Sequence, residues 1–321
     1  MRRFLVGVDI GGTKTDVLVV EGATIERGQA RSPTVLTSPA DMVAGIADTV
    51  HAALEQAGAE SATVVGVGVG VPGQVDPDAG EVRLAVNLGL KSYPLGAALA
   101  QALAIPVRLE NDIRVAALGA YHDVRRERPI HSLAYLGIGT GVAAGGILGG
   151  SLYRGVHGMA GEIGHIVMEE DGDPCRCGQR GCLEAMVSGP AIERQAVQAG
   201  IPQAEANLGA LYRRAAQGDP RAQAIVHRVG RAVARAVQWL IMAYDVERVV
   251  LGGGIGGAGE ALQDSVRREI ERMRTQSELA RTLLPEGSLE FLPAGFNPGT
   301  RGAIRIAAEA AEIPIVERRA P

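Results

Sequence analysis

The chain has 321 residues, 46% of them apolar, 44 glycines and a formal charge of −4. That length and apolar content support one or two globular domains and exclude extensive disorder. The slightly acidic balance lacks the basic excess that nucleic-acid binding leans on, so the expected partners are small molecules, with no nucleic acid and no membrane.

Residues 4–8 and 17–20 (FLVGV and VLVV) are β-branched runs around DIGGTK, and predict two strands joined by a tight turn. Ser38, Pro39 and Asp41 form a helix start signal, after which Met42, Val43, Ile46, Val50 and Leu54 recur at helical spacing. The run TVVGVGVGV at 63–71, ending at Pro72-Gly73, reads as a buried strand. Helix 94–104, strand 106–109 and helix 112–121 then give the alternation of an α/β domain. The uncharged stretch Ser132–Tyr153 carries seven glycines, which weaken a lone helix, so it reads as a buried hairpin and not a membrane span. Pro220–Tyr244 predicts a long amphipathic helix, and VVLGGGIGGAG at 249–259 follows a short strand and precedes helix 259–274. Arg2 and Arg3, followed by a short apolar run broken by Asp9, do not make a signal peptide, which implies a cytoplasmic protein.

The segments LVGVDIGGTKTDVLVV (5–20) and LAYLGIGTGVAAGGIL (133–148) share one order: apolar strand, glycine turn with Thr, apolar strand. Either the architecture is duplicated, or two glycine-rich hairpins merely look alike. Glycine after a strand lets backbone N–H groups approach an anion, and phosphate is the usual guest. DIGGTK runs into a strand and not a helix, so neither a P-loop nor a dinucleotide-binding turn fits. Asp9 beside Gly11, Gly12 and Thr13 suits a hydrated Mg²⁺ and phosphate oxygens. The glycines at 11–12, 66–73, 137–150 and 252–259 are accordingly expected where backbone meets phosphate or sugar.

Leu109-Glu110-Asn111-Asp112 lies between a strand and an amphipathic helix, where loop carboxylates are well placed to meet a ligand. Asp112 is either the N-cap of helix 113–121 or the base that accepts a proton from an attacking hydroxyl, with Asn111 orienting that hydroxyl. Three cysteines crowd into eight residues, a poor disulfide framework. With His165, the ligands Cys175, Cys177 and Cys182 make a closed tetrahedral set for structural Zn²⁺, against the alternative of three buried free thiols. Glu162 and Glu184 flank these ligands, where an anchored loop would present them to a polyhydroxylated ligand.

DIGGTK (9–14), GVGVPG (68–73), LENDIRVAALG (109–119), GIGTGVAAGGIL (137–148), HGMAGEIGH (157–165), CRCGQRGCLE (175–184) and LGGGI (251–255) occur in that order, and together resemble the ROK family of repressors and sugar kinases. The resemblance implies an actin-like (ribonuclease H-like) two-domain α/β fold with duplicated phosphate hairpins, a zinc loop, and a cleft for sugar and ATP. It implies a small domain at 1–115, a large one at 116–297, a helix at 298–315 returning to the first, and a homodimer or homotetramer. By the same resemblance Asp112 is the base, while Asn87, Asn111, Glu162, His165 and Glu184 hold sugar hydroxyls, His165 with its second ring nitrogen. Asp9, Gly11, Gly12, Thr13 and Lys14, with Thr140, Gly141 and Gly252, Gly253 and Gly254, would surround Mg·ATP. Repressors of the family carry an N-terminal helix-turn-helix region, whereas here the phosphate hairpin starts almost at Met1, so the expectation is a kinase; the NLG-x-x-x-x-PL block (87–95) resembles the glucose-phosphorylating members, so the expected acceptor is the 6-hydroxyl of glucose. A kinase for N-acetylglucosamine, N-acetylmannosamine, mannose or fructose is the alternative, and a sugar sensor without catalysis another. Polyphosphate is an alternative donor. Leu90 departs from the Trp usual in the glucose-phosphorylating members.

Overall fold

A computed structural model describes residues 2–22, 24–254, 260–293 and 295–311. The chain divides into two units: the first comprises residues 1–130, 152–160 and 297–321, the second residues 131–151 and 161–296.

In the first unit, β1 (Phe4–Ile10) and β2 (Lys14–Glu21) form the expected antiparallel hairpin. β3 (Ile25–Pro33), β4 (Val64–Val71) and β8 (Val107–Asn111) complete a sheet of order β3-β2-β1-β4-β8, with β1, β4 and β8 parallel. A smaller antiparallel sheet follows β4: β5 (Gln74–Asp76), β6 (Glu81–Ala85) and β7 (Leu90–Tyr93). The helices are α1 (Pro39–Ala57), α2 (Leu95–Leu103), α3 (Asp112–Glu127) and α10 (Pro298–Ala310). Ser38 caps α1 by accepting from the Asp41 N–H, which satisfies one of the orphan donors of the first turn.

The alternation in β4 has a packing cause. Val67, Val69 and Val71 point into one apolar core with Val6, Val8, Ile46 and Leu109. Gly66 and Gly68 face the opposite side, where α10 lies so close that a Cβ on Gly68 would come within 1.9 Å of the Ala303 carbonyl oxygen. Gly7 on the neighbouring strand, in register with Gly68, meets α10 the same way. Gly66 and Gly68 thus serve helix-on-sheet packing, and the expectation that they meet phosphate or sugar is corrected. Gly119 of α3 and Gly302 of α10 likewise let these two helices cross backbone to backbone. This crossing keeps α3 with the first unit, so the division falls after Ile130 and not at 115.

The second unit repeats the plan. β9 (Leu133–Ile138) and β10 (Val142–Leu148) are an antiparallel hairpin within a sheet of order β11-β10-β9-β12-β13, with β9, β12 and β13 parallel. β11 is Ser151–Tyr153, β12 is Arg248–Gly252 and β13 is Leu289–Phe291. Two sheets with the same order and sense are what a duplicated architecture predicts. The uncharged stretch 132–153 is therefore a hairpin, and no described helix is long and apolar enough to cross a membrane. The remaining helices are α4 (Leu183–Val187), α5 (Gly189–Gln198), α6 (Leu208–Ala216), α7 (Pro220–Tyr244), α8 (Glu260–Gln276) and α9 (Glu278–Leu283). α7 buries Ile225, Val229, Val233, Val237 and Leu240, each contributing about 1.5–3 kcal/mol. The glycines at 256, 257 and 259 of the third cluster lie outside the described residues.

Candidate active site

The candidate residues of the first unit gather at the C-terminal ends of β1 and β8. The β1–β2 turn is closed by the Gly11 N–H donating to the Lys14 carbonyl at 2.8 Å, and Thr34 Oγ1 donates to the Gly11 carbonyl at 2.7 Å. Gly12, Thr13 and Lys14 are exposed, and Lys14 pairs with Asp16 at 3.4 Å. A Cβ built on Gly12 would lie 3.7 Å from Cβ of Asn87, which sits exposed in the short 3₁₀ turn 86–88. The hairpin and Asn87 therefore belong to one local surface.

Asp112 is the first residue of α3, and the N-cap is Asn111, whose Oδ1 accepts from the Arg114 N–H at 3.2 Å. The expectation that Asp112 caps the helix shifts by one residue because Asn and Asp are equally good caps. Asn111 Nδ2 donates both to the Gly73 carbonyl at 3.0 Å and to Asp112 Oδ1 at 3.1 Å. Asp112 Oδ1 also accepts from the Ile113 N–H at 2.8 Å, so this oxygen is fixed from two directions. Asn111 thus orients the Asp112 carboxylate.

Glu110 does not face a ligand. It is fully buried, with Oε1 accepting from the Asn111 N–H at 2.9 Å and Arg114 Nη1 at 3.2 Å, and Oε2 from Arg154 Nε at 2.6 Å. The expectation for loop carboxylates fails here because the strand directs Glu110 into the protein, where an unpaired charge would be costly.

Asp9, the penultimate residue of β1, lies beside Gly299 at the N-terminus of α10: a Cβ on Gly299 would fall 2.4 Å from Asp9 Oδ2. Burial, then the charges of Asp112 and Asp16, push its carboxyl up from 3.8 to about 7, against a hydrogen bond from Asn297 and the charge of Lys14. The folded chain therefore binds this proton more tightly than the unfolded chain, and stability is lost as pH rises from about 4 through about 7. Such a displacement corresponds to about 4 kcal/mol at full effect. Asp9 keeps part of its surface open, so Asp9→Asn is expected to gain about 2–4 kcal/mol over the wild type at pH 8 and nothing near pH 4. Urea unfolding of both proteins across that range checks it, and a difference independent of pH would contradict the assignment.

In the second unit, Gly139, Thr140 and Gly141 form the β9–β10 turn, closed by the Gly139 N–H on the Gly141 carbonyl at 2.9 Å. Gly252, in register with Gly137, is buried and packs on Tyr135, while Gly253 and Gly254 are exposed. A Cβ on Gly139 would lie 3.8 Å from the Gly254 N, so the two glycine loops adjoin. The Gly189 N–H at the start of α5 donates to the Gly139 carbonyl at 2.9 Å, which adds the Ser188-Gly189 helix start to this surface. Sequence reasoning missed that segment, although Ser188 before Gly189-Pro190 is a helix start signal.

Glu184, on α4, accepts from the Val142 N–H at 3.0 Å and touches Gly141, so one oxygen is committed to the Thr140-Gly141 turn. Glu162 is exposed and His165 half-buried, joined by the 3₁₀ turn Ile163–His165. Gly161 and Gly164 lie on β10 with no room for a side chain, a Cβ coming 1.8 Å from the Ala144 carbonyl oxygen and 2.0 Å from that of Val142. The GEIGH spacing thus clamps this segment to the strand and presents Glu162 and His165 from it.

His165, Cys175, Cys177 and Cys182 bring four ligand atoms within 4.8 Å of one another. Cys175 Sγ lies 3.7 Å from His165 Nδ1, and Cys177 Sγ 3.6 Å from Cys182 Sγ. A tetrahedron with metal–sulfur bonds of about 2.3 Å has edges of about 3.8 Å, so the spacing fits zinc. Burial and then the neighbouring Cys177 and Cys175 thiols push Cys182 up to about 12, whereas the Gln179 N–H holds Cys177 below its usual value. A dication at the centre would reverse the penalty on Cys182. Nδ1 faces the thiols, which leaves Nε2 as the ring nitrogen directed elsewhere. A cavity of about 40 Å³ beside this loop is lined by Thr140, Cys175, Glu184, Ser188 and Pro190 among others.

Residues 5–309 match the ROK family. A glucokinase of Thermotoga maritima is 37% identical over 281 residues, covering 83% of this chain and 86% of its own. An N-acetylmannosamine kinase of Vibrio cholerae is 35% identical over 254 residues, covering 78% and 83%. Among solved structures, a ROK family glucokinase from Streptomyces griseus in complex with glucose and AMPPNP superimposes with a TM-score of 0.78 at 28% identity, covering 95% of this chain and 99% of its own. The chain belongs to the ROK family. These three relatives are sugar kinases, which makes this a ROK-family sugar kinase in class.

Proposed function

We propose that this ROK-family sugar kinase transfers the γ-phosphoryl group of ATP to the 6-hydroxyl of glucose. The observation that carries the reading is the local cluster of the first unit: Asp112, held by Asn111 and close enough to Asp9 to raise its pKa, lies on the same unit as the exposed Gly12-Thr13 turn and Asn87. In this reading Asp112 accepts the proton of the attacking 6-hydroxyl, and charge and position do the rest, as phosphoryl transfer requires. Asn87, Asn111, Glu162, His165 and Glu184 take the other sugar hydroxyls. Asp9, Gly11, Gly12, Thr13 and Lys14, with Thr140, Gly141, Gly252, Gly253 and Gly254, serve the nucleotide and its Mg²⁺. Structural Zn²⁺ on His165, Cys175, Cys177 and Cys182 would fix the loop that carries His165, and supplies rigidity but no step of the reaction.

Glucose is favoured by the identity to glucokinases; the similar identity to N-acetylmannosamine kinases supports that sugar as the second reading. ADP release with ATP and Mg²⁺ on glucose, mannose, fructose, N-acetylglucosamine and N-acetylmannosamine tests both. The highest kcat/KM is expected for glucose. A higher value for any other hexose would replace the substrate, and no ADP from any of them would remove the activity. Polyphosphate in place of ATP is the companion assay for the donor.

A further inference from the structure

Residues 152–160 group with the first unit, although the chain on either side belongs to the second. This strap has little apolar anchorage: Val156 is 95% exposed and Met159 is exposed. Two of its polar attachments converge on one buried group. Arg154 Nε reaches Glu110 Oε2 at 2.6 Å, Arg114 donates to the Gly158 carbonyl, and Gln74 Nε2 lies 3.6 Å from Met159 Sδ. Arg114 in turn holds Glu110 Oε1.

Glu110 is thus a carboxylate without solvent exposure that accepts three donors, two of them guanidinium groups. Charge-assisted bonds of this kind are short and directional. The third donor is the N–H of Asn111, so the same carboxylate sets the peptide plane from which Asn111 reaches Asp112 Oδ1. On its other side the strap runs through Ala160 and Gly161 directly into Glu162 and His165.

We propose that Glu110 and Arg154 are positioning residues for the phosphoryl transfer, acting as a charge clamp between the strap and the turn that carries Asn111 and Asp112. The proposal rests on the reading of Asp112 as the base. The clamp touches no substrate: it orients Asp112 through Asn111, and it fixes the chain that leads into the proposed sugar contacts.

Arg154→Ala is the informative variant because it leaves the buried Arg114–Glu110 pair intact, so the chain should fold. It is expected to lower kcat at least about 10-fold and raise the KM for the hexose several-fold, with the KM for ATP within about twofold, since small misplacements of reacting groups are costly. Arg154→Lys keeps the charge but not the planar fork, and should recover part of both changes. Arg154→Ala combined with Glu110→Gln should be no worse than the poorer single variant, because both remove one bond. Amide hydrogen exchange at 155–160 should rise in Arg154→Ala whatever the kinetics.

Unchanged kcat and hexose KM in Arg154→Ala would overturn the proposal. So would a fall in turnover with both KM values unchanged, which is what mere loss of folded protein produces, or independent effects of the two substitutions. A wild-type chain that phosphorylates no hexose overturns the kinase reading, and with it the positioning role, and is told apart because it appears before any substitution is made.

Discussion

Asp112→Ala is expected to lower turnover by about 10²-fold or more, while the variant folds and still binds its hexose. The size follows from the role: general-base catalysis contributes about 10²–10⁴. The fold should tolerate the change. The cap of α3 belongs to Asn111, so Ala at the first helical position keeps the cap and forfeits a favourable charge at the helix N-terminus, about 0.3–1 kcal/mol, together with the bonds that Oδ1 accepts from Asn111 and Ile113. Removing Asp112 also takes away one of the charges that raise Asp9, which offsets part of that loss. Asn111→Ala should behave differently, because it removes the cap, about 0.5–2 kcal/mol, together with the bond to Asp112 Oδ1. Turnover by ADP release, with hexose binding by calorimetry and thermal melting on the same samples, checks both. A folded Asp112→Ala protein with near wild-type turnover would mean that another group takes the proton.

The elements legible in the sequence are those whose periodicity is set by a large apolar face. Both hairpins, β4 and α7 carry such a face, and α7 keeps the bounds that its apolar stripe predicts. β3 was not legible because it pairs on one side only and leaves most of its side chains at least partly open, so IERGQARSP carries no alternation. The glycine pattern was legible as close approach but not as to what approaches. Gly66 and Gly68 admit a helix that lies more than 230 residues further along the chain. Glu110 shows the same limit. Three consecutive polar residues read alike in sequence, yet strand geometry buries the first, makes the second the cap and sets the third as the first residue of α3. The zinc set was the reverse case, since its spacing named all four residues and the fold brings them together.

One zinc per chain is the second expected result, and its removal should be felt in both stability and activity. The backbone of the loop is partly self-supporting: the Cys175 N–H donates to the Gln179 carbonyl, the Gly181 N–H to Asp173, and the Met168 N–H to Gly181. Those bonds fold the loop on itself and tie it to the chain that follows His165, and the ligand atoms add a second connection, Cys175 Sγ to His165 Nδ1 and Cys177 Sγ to Cys182 Sγ. Chelation should therefore loosen the loop without unfolding the sheets. A thousandfold excess of free zinc over its dissociation constant is worth about 4 kcal/mol, and for a chain of this size that is a fall in Tm of about 6 °C on chelation. Turnover should fall with it, since His165 would lose the bond that orients its ring, and KM for the hexose should rise more than KM for ATP. Cys177→Ser isolates the metal from the packing, because Cys177 is exposed and its thiol fills no core space. Metal analysis, melting and kinetics on the chelated and re-zincated wild type and on Cys177→Ser test the chain of argument. A folded, active sample with no zinc, or chelation that leaves Tm and hexose KM unmoved, would return these cysteines to the status of free thiols.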